Sequence, residues 1–546
     1  MGNYLKALEF CEKALKIFGK ALPPNHPLLA DSYDNIGGLY RNTGNYPEAL
    51  EFHEKARRIN EKVLPPNHPD LATSYNNIGT AYYSMGNYSK ASEFYEKALK
   101  IEQKALRPDH PSLATSHANL GMVYNSMGNY WEALQFYEKA LRIKEKVLPP
   151  NHPDLATFYN NIGTAYYNMG NYLKTLEFCE KALKILGKTL PPNHPLMAAS
   201  YDNIGELYRN TGNYPEALVF YEKALRVEEK ALPPNHPALA TSYNNISVFY
   251  RDIGNYLKAL EFCEKALKIR EKALPSNHSD LAISYNNIGE LYGIMGNSSK
   301  TLEFYEKALE IFEKALPSNH PDLGTSYNNV GGVYKNMGNY SKALEFCEKA
   351  LKIREKALPS SHPDLANSYN SIGLVYQNRG NYSQALEFYE KSLKIFEKAL
   401  SPNHPDLGTS YNNIGGVYKN MGNYSKALEF YEKTLKVFEK AVPSNHPSLA
   451  ISYNNIGGVY GNMGNYSKAL QFYEKALRIE EKALPPNHPS LAITYNNIGM
   501  VHDNMGNYSK ALSFLENALA IAQKSLPLTH PQIKTIKRNI NHVKKM

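Results

Sequence analysis

The sequence predicts an all-α fold, a right-handed α-solenoid in which helix pairs stack into a superhelix. The glycine of a Gly-Asn turn recurs every 42 residues from Gly2 to Gly506, and thirteen such periods make up the 546 residues. Apolar residues in each period follow helical spacing on two successive segments. A fixed period of this size indicates units that each stack on their neighbours. We expect the array to exceed one superhelical turn.

The first helix of the unit, helix A, is clearest after the His-Pro pair at 68–69. Proline suits the first helical position because its missing N–H would be unpaired there. Tyr75, Ile78 and Tyr82 recur at helical spacing and mark one face. Gly86 should end helix A, since glycine takes positive φ without strain.

The second helix, helix B, should follow the turn and bury one apolar side. Its candidate core residues include Ala91, Tyr95, Ala98 and Leu99. A proline at 108 ends it, because the residue before proline is pushed out of the α region. Each unit therefore reads as a helix pair closed by a short linker of the form Leu-x-Pro-x-His-Pro.

This unit resembles the tetratricopeptide repeat over the whole chain. The positions that carry the resemblance are Tyr75, Ile78, Gly79, Tyr82, Gly86, Tyr88, Ala91, Tyr95 and Ala98. The usual repeat has 34 residues, and the longer helix B with its linker is similar to the kinesin light chain and nephrocystin branch. The resemblance implies that helix A lines a concave groove. The coiled coil that precedes the repeats in kinesin light chains is absent, which weakens the motor-adaptor interpretation.

Three segments are expected along the chain. Residues 1–22 form a half repeat with helix B alone, residues 26–526 form twelve tandem repeats, and residues 530–546 form a capping helix in which Lys537 replaces the tyrosine of helix A. Solenoids generally need a polar cap at each end. We therefore favour a truncated longer array over a true start at Met1.

Composition excludes several classes of function. The net charge of +9 is spread over the array and does not favour nucleic-acid binding. The sequence contains no run of 18 apolar residues, so no membrane span is predicted. No signal peptide is recognisable at the N-terminus. Four cysteines share one repeat position, as expected of buried thiols in a reducing, cytoplasmic compartment.

No cofactor, metal site or enzyme activity is expected. The linker histidines recur once per 42 residues, too far apart to share one zinc ion, so they indicate helix starts. The glycines at 457, 458, 461 and 464 lack the preceding strand that a nucleotide-binding loop needs. No set of nucleophile and base emerges from the repeat.

Two series of polar residues are candidates for peptide binding in the groove. An asparagine amide has two donor hydrogens and an acceptor oxygen, so a ladder of asparagines could hold a peptide backbone; a soluble helix surface is the alternative. Cations at a second position could select acidic segments, although drift at an exposed position would look the same. The candidates are Asn76, Asn160, Asn244, Asn286, Asn328, Asn370, Asn412, Asn454, Asn496, Arg209, Arg251, Lys335 and Lys419.

The leading functional hypothesis is a protein–protein interaction scaffold that binds extended peptide segments in the concave groove. The alternative is a regulatory or sensor arm of a larger enzyme or signalling ATPase, whose catalytic domain would lie upstream of Met1. A cargo adaptor similar to kinesin light chain is a weaker third option. A purely structural spacer would show no groove ligand.

Overall fold

The computed structural model describes residues 2–546, and their side chains from residue 6 onward. Within that range the chain consists of helices joined by short turns, with no strand. This confirms the predicted all-α solenoid. The helices are α1 Gly2–Ala21, α2 Pro27–Asn42, α3 Tyr46–Val63, α4 Pro69–Ser84, α5 Tyr88–Ala105, α6 Pro111–Ser126, α7 Tyr130–Val147, α8 Pro153–Asn168, α9 Tyr172–Thr189, α10 Pro195–Asn210, α11 Tyr214–Ala231, α12 Pro237–Asp252, α13 Tyr256–Ala273, α14 Ser279–Ile294, α15 Ser298–Ala315, α16 Pro321–Asn336, α17 Tyr340–Ala357, α18 Pro363–Asn378, α19 Tyr382–Ala399, α20 Pro405–Asn420, α21 Tyr424–Ala441, α22 Pro447–Asn462, α23 Tyr466–Ala483, α24 Pro489–Asn504, α25 Tyr508–Ser525 and α26 Pro531–Val543.

Even-numbered helices are helices A, and odd-numbered helices are helices B. In α4 the His68 imidazole caps the first turn, where its Nδ1 accepts the backbone N–H of Asp70 at 3.2 Å. In α5 the Asn87 side chain accepts the N–H of Lys90 at 3.2 Å. Both caps satisfy N–H groups that a helix start leaves without partners.

The turn between the two helices requires glycine. Gly86 adopts a φ of +69°, and its N–H bonds to the carbonyl of Tyr83 at 2.9 Å. This left-handed residue ends helix A and lets the chain reverse direction.

The core of each repeat lies between helix A and helix B. Ile78, Tyr95 and Ala98 are fully buried. A Cβ at Gly79 would lie only 2.8 Å from the Tyr95 ring, so glycine permits the close helix contact there. Helix A and helix B therefore touch where the repeat pattern has its small residues.

The last helix, α26, packs like a helix A but has a polar outer side. Ile533, Ile536 and Ile540 are buried, whereas Lys537 is exposed. At the other end, α1 packs on α2, and the Tyr40 hydroxyl donates to Glu12 at 3.3 Å.

The two turns of the superhelix are in contact, because the second turn packs on the first. His362 Nε2 lies 2.9 Å from the carbonyl oxygen of Ser126, 236 residues away in sequence. The same bond joins His446 to the carbonyl of Asn210 at 3.0 Å. Since Nδ1 of each ring accepts a backbone N–H, Nε2 carries the proton and donates. Ser126 ends α6 and His362 caps the start of α18, the sixth helix A after α6, so the contacting repeats are six repeats apart.

Candidate interaction groove

Successive helices A are joined by the asparagine ladder. The Asn76 amide nitrogen donates to the Ser116 hydroxyl of the next helix A at 3.2 Å. Asn160 makes the same bond to Ser200 at 3.0 Å, and Asn454 bonds to Thr494. At these positions the amide nitrogen holds neighbouring repeats together.

The amide oxygens of the ladder differ in whether they accept a hydrogen bond. Asn412 Oδ1 accepts from Asn455 at 2.7 Å, and Asn496 Oδ1 accepts from Asn539 at 2.9 Å. The other seven predicted asparagines have a covered amide oxygen with no hydrogen-bond donor among the described residues. They are Asn76, Asn160, Asn244, Asn286, Asn328, Asn370 and Asn454.

The two candidate arginines already have acidic partners. Arg209 forms an ion pair with Asp252, one repeat further along. Arg251 contacts Asp252 and also Glu290, both at 2.9 Å. These arginines and acids form one charge network across successive helices A. Sequence inspection missed it, although the partners recur at offsets of about one repeat.

The two candidate lysines are in a different environment. Lys335 and Lys419 are half-buried, and no carboxylate among the described residues forms an ion pair with either. Burial lowers the pKa of both ammonium groups, and for Lys335 the nearby Cys347 opposes that shift.

Glycine leaves space beside Lys419. A Cβ at Gly458 would lie 3.1 Å from Lys419 Nζ and 3.5 Å from the Tyr473 hydroxyl oxygen. The ammonium group and the hydroxyl therefore both lie beside Gly458. Both groups can donate to an anion.

One cavity between neighbouring repeats includes a predicted ladder residue. It has a volume of about 380 Å³ and lies between α14 and α16, where its lining includes Asn286, Glu290 and Asp322. A second cavity, of about 480 Å³, lies where the two superhelical turns meet, with Arg209, Asp252, His404 and His446 in its wall.

The remaining reactive residue types have structural positions. Cys179, Cys263 and Cys347 are buried, and burial raises the pKa of the Cys347 thiol to about 12, which keeps it protonated at neutral pH. In the described part of the chain, no cluster of histidine, cysteine and acidic residues could hold a metal ion. No helix between residues 2 and 546 combines the length and apolar character needed to cross a membrane.

Sequence reasoning missed a second role of the linker histidines. They cap helices A, as their position before proline suggests, but those of the second turn also contact the first turn. No local motif signals this, because the partners lie 236 residues apart.

Comparison with known proteins identifies the family of the repeat unit. The tetratricopeptide repeat model matches residues 1–62, 33–103, 70–146, 154–230, 238–314, 280–356, 322–398, 364–440 and 448–524. No curated protein matches the chain.

Three solved structures illustrate the similarity. A Podosopora anserina protein named for kinesin light chain, with nearly identical TPR-like repeats, is 29% identical over 38% of this chain and 98% of its own, with a TM-score of 0.34. BtubC (BKLC) from P. vanneervenii is 22% identical over 42% of this chain and 90% of its own, with a TM-score of 0.35. The Cut9-Hcn1 hetero-tetramer of APC/C is 16% identical over 99% of this chain and 93% of its own, with a TM-score of 0.41.

Tetratricopeptide repeat proteins bind other proteins or peptides, and a solenoid made only of such repeats is typical of non-catalytic scaffolds. The matched segments cover more than half of the sequence, and the helix pairs, glycine turns and buried small residues follow the same unit. The chain therefore belongs to the tetratricopeptide repeat family.

Proposed function

We propose that this chain is a non-enzymatic scaffold that binds an extended acidic peptide along its groove, with Lys335 and Lys419 holding acidic side chains. The observation that carries the proposal is the environment of these two lysines. Both are half-buried without a carboxylate partner among the described residues, whereas Arg209 and Arg251 are paired within the chain.

Electrostatics favour an anionic ligand at the lysines. Burial lowers the pKa of Lys335 and Lys419 because it removes water from the charged form. A carboxylate bound beside each ammonium group would replace that lost solvation and raise the pKa again. A charge-assisted hydrogen bond of this kind is stronger than a neutral one.

The spacing of the lysines limits the peptide. They lie on α16 and α20, which are separated by one further helix A, α18. Packed neighbouring helices lie roughly 8–10 Å apart, so the two lysines are separated by about 16–20 Å. An extended chain spans about 3.3–3.6 Å per residue. Acidic residues about five or six positions apart would therefore reach both lysines.

The asparagine ladder can contribute to the same site through its amide oxygens. The amide nitrogens of Asn76, Asn160 and Asn454 bind the next helix A, so we assign backbone contact to the oxygens that lack a donor. Because these oxygens are covered, the proposal requires the amide to turn before a peptide N–H can donate to one. Asn244 and Asn328 are the two test positions, since both oxygens are without a donor.

Selection from a random dodecapeptide library displayed on phage tests this function. We expect the full chain to select peptides with two acidic residues five or six positions apart. A Lys335→Gln, Lys419→Gln variant should bind the best selected peptide at least about tenfold more weakly in fluorescence anisotropy. The matched control is Lys394→Gln, Lys436→Gln, which removes two exposed lysines from helices B and should bind normally.

Selected peptides without acidic enrichment, or equal affinity of the two lysine variants, would overturn the proposal. An Asn244→Ala, Asn328→Ala variant tests the ladder separately. Unchanged affinity with intact helicity would remove the asparagines from the site and leave the lysines.

A further inference from the structure

Two edges of the superhelix meet where its second turn packs on its first. The turn edge is formed by the Gly-Asn-Tyr turns and the residue before each glycine. The linker edge is formed by the Leu-x-x-x-His-Pro linkers. Inside the molecule, linker edges of the second turn lie on turn edges of the first.

The internal contact is close and repeats along the superhelix. A Cβ at Gly128 would lie 2.7 Å from Pro363 Cδ, and one at Gly254 would lie 2.8 Å from Pro489 Cδ. Tyr130 packs with the cluster that contains Leu400. All seven turns from Gly44 to Gly296 have a histidine of the later linkers within 4 Å of their Cβ position.

The last five turns lack such a partner. Nothing in the described chain lies within 4 Å of a Cβ built on Gly338, Gly380, Gly422, Gly464 or Gly506. The methionines before four of these glycines are exposed apolar residues, with exposed fractions of 54%, 50%, 51% and 44% at Met337, Met421, Met463 and Met505. A row of exposed methionines marks an interaction surface.

The first linkers are also uncovered. The linker leucines of the second turn are buried, as at Leu358 and Leu484, which are both 7% exposed. Their counterparts in the first turn, such as Leu64 and Leu148, are only half-buried. The His152 side chain is 37% exposed, against 10% for His362.

The uncovered edges have the sequences of the covered ones. Met-Gly-Asn-Tyr-Ser is covered at 85–89 and uncovered at 337–341, 421–425, 463–467 and 505–509. Leu-Pro-Pro-Asn-His-Pro is packed on the first turn at 484–489 and uncovered at 64–69, 148–153 and 190–195. The two free edges are therefore complementary in the same way as the edges that meet inside the molecule.

We propose that the free turn edge of one molecule binds the free linker edge of a second copy, which continues the stacking of superhelical turns. The two surfaces differ, so the contact is heterologous. A heterologous contact that does not close into a ring produces an open chain of molecules. The second copy is the favoured occupant because the contact continues an interface that the structure already contains.

Sedimentation velocity of the full chain over a range of concentrations provides the first test. We expect species at successive whole multiples of the monomer mass, and negative-stain electron microscopy should show rods of variable length. A single monomer peak up to the highest soluble concentration would overturn the proposal. A dimer that does not grow further would also overturn it, because it indicates an isologous contact.

A variant of the turn edge tests the surface itself. Met421→Arg, Met463→Arg should weaken association at least about tenfold, since each arginine would place a charge in an apolar contact. The fold should accept arginine there, because Arg379 occupies the equivalent position with φ −75°, close to the −76° of Met421. The control is Ile451→Arg, Ile493→Arg, which alters isoleucines of similar exposure, 53% and 48%, outside the turn edge.

Mixing the Met421→Arg, Met463→Arg variant with the unchanged chain tests the direction in which the assembly grows. The variant keeps its linker edge, so it can join an assembly but cannot accept the next molecule. A small proportion should therefore shorten the rods. Unchanged rod length, with circular dichroism showing a folded variant, would contradict the proposed direction of growth.

Discussion

One hexapeptide, Leu-Pro-Pro-Asn-His-Pro, occurs in both superhelical turns with different surroundings. At 64–69 it is solvent-accessible, and the His68 side chain is 38% exposed. At 484–489 it packs on the first turn, where His488 Nε2 lies 3.2 Å from the carbonyl of Asp252. Both histidines cap their helix through Nδ1. The local sequence therefore determines the helix cap, and packing of the second turn on the first determines whether the linker is buried.

This difference changes how stability is distributed. A solenoid whose repeats contact only their neighbours behaves as a one-dimensional array. Here repeats of the second turn also contact the repeat six positions earlier in the chain. The two turns should consequently stabilise each other, and conditions that separate them should leave the helix pairs intact.

Acidification should produce the largest effect on the contact between turns. Burial lowers the pKa of all seven linker histidines from His278 to His530, and that of His446 falls to about 4. We expect the turns to separate as pH falls from 7.5 to 4.5. Small-angle X-ray scattering should show a larger radius of gyration, while far-UV circular dichroism changes little.

The direction of this pH effect follows from proton linkage, because the packed and separated states bind protons at different pH. A separated or unfolded chain binds protons at its histidines below about pH 6.5, whereas the packed chain binds them only at lower pH. Packing therefore loses stability between about pH 6.5 and 4, by about 3 kcal/mol for His446. The charged residues that line the same cavity as His446 are Asp252, Asp406 and Arg209. A constant radius of gyration over this range would contradict the expectation.

A pair of glycine substitutions gives the next largest effect. Gly86 and Gly422 both lie in Met-Gly-Asn-Tyr-Ser, with φ of +69° and +76°. Alanine costs roughly 1–2 kcal/mol at either position because of the left-handed backbone. At Gly86 its Cβ would also lie 2.5 Å from Pro321 Cδ, whereas Gly422 is open.

Gly86→Ala should therefore be more destabilising than Gly422→Ala by about 1–3 kcal/mol, the usual cost of overpacking. Thermal denaturation of both variants, with hydrogen exchange near residues 316–330, provides the measurement. Equal melting temperatures would mean that the two turns separate at little cost.

The sequence predicts the repeat unit well because its determinants are local. Gly86 ends helix A, Gly79 admits the Tyr95 ring, and prolines mark the linkers. The contact between turns could not be predicted, since a small change in the angle between neighbouring repeats accumulates over the six repeats that separate the contacting ones. Pairing of Arg209 with Asp252 likewise depends on the packing of adjacent helices A.

The smallest expected effect is the sharpest test of the comparison between turns. Asparagine caps helix starts well, so His68→Asn should keep the cap and change stability by less than about 0.5 kcal/mol. His488→Asn keeps the same cap but loses the donor to the Asp252 carbonyl, which should cost about 0.5–1.5 kcal/mol. Hydrogen exchange of residues 252–256 should rise only in the second variant. If both variants exchange alike, the histidine bond contributes nothing to closure, and apolar packing of residues such as Leu484 must hold the turns together.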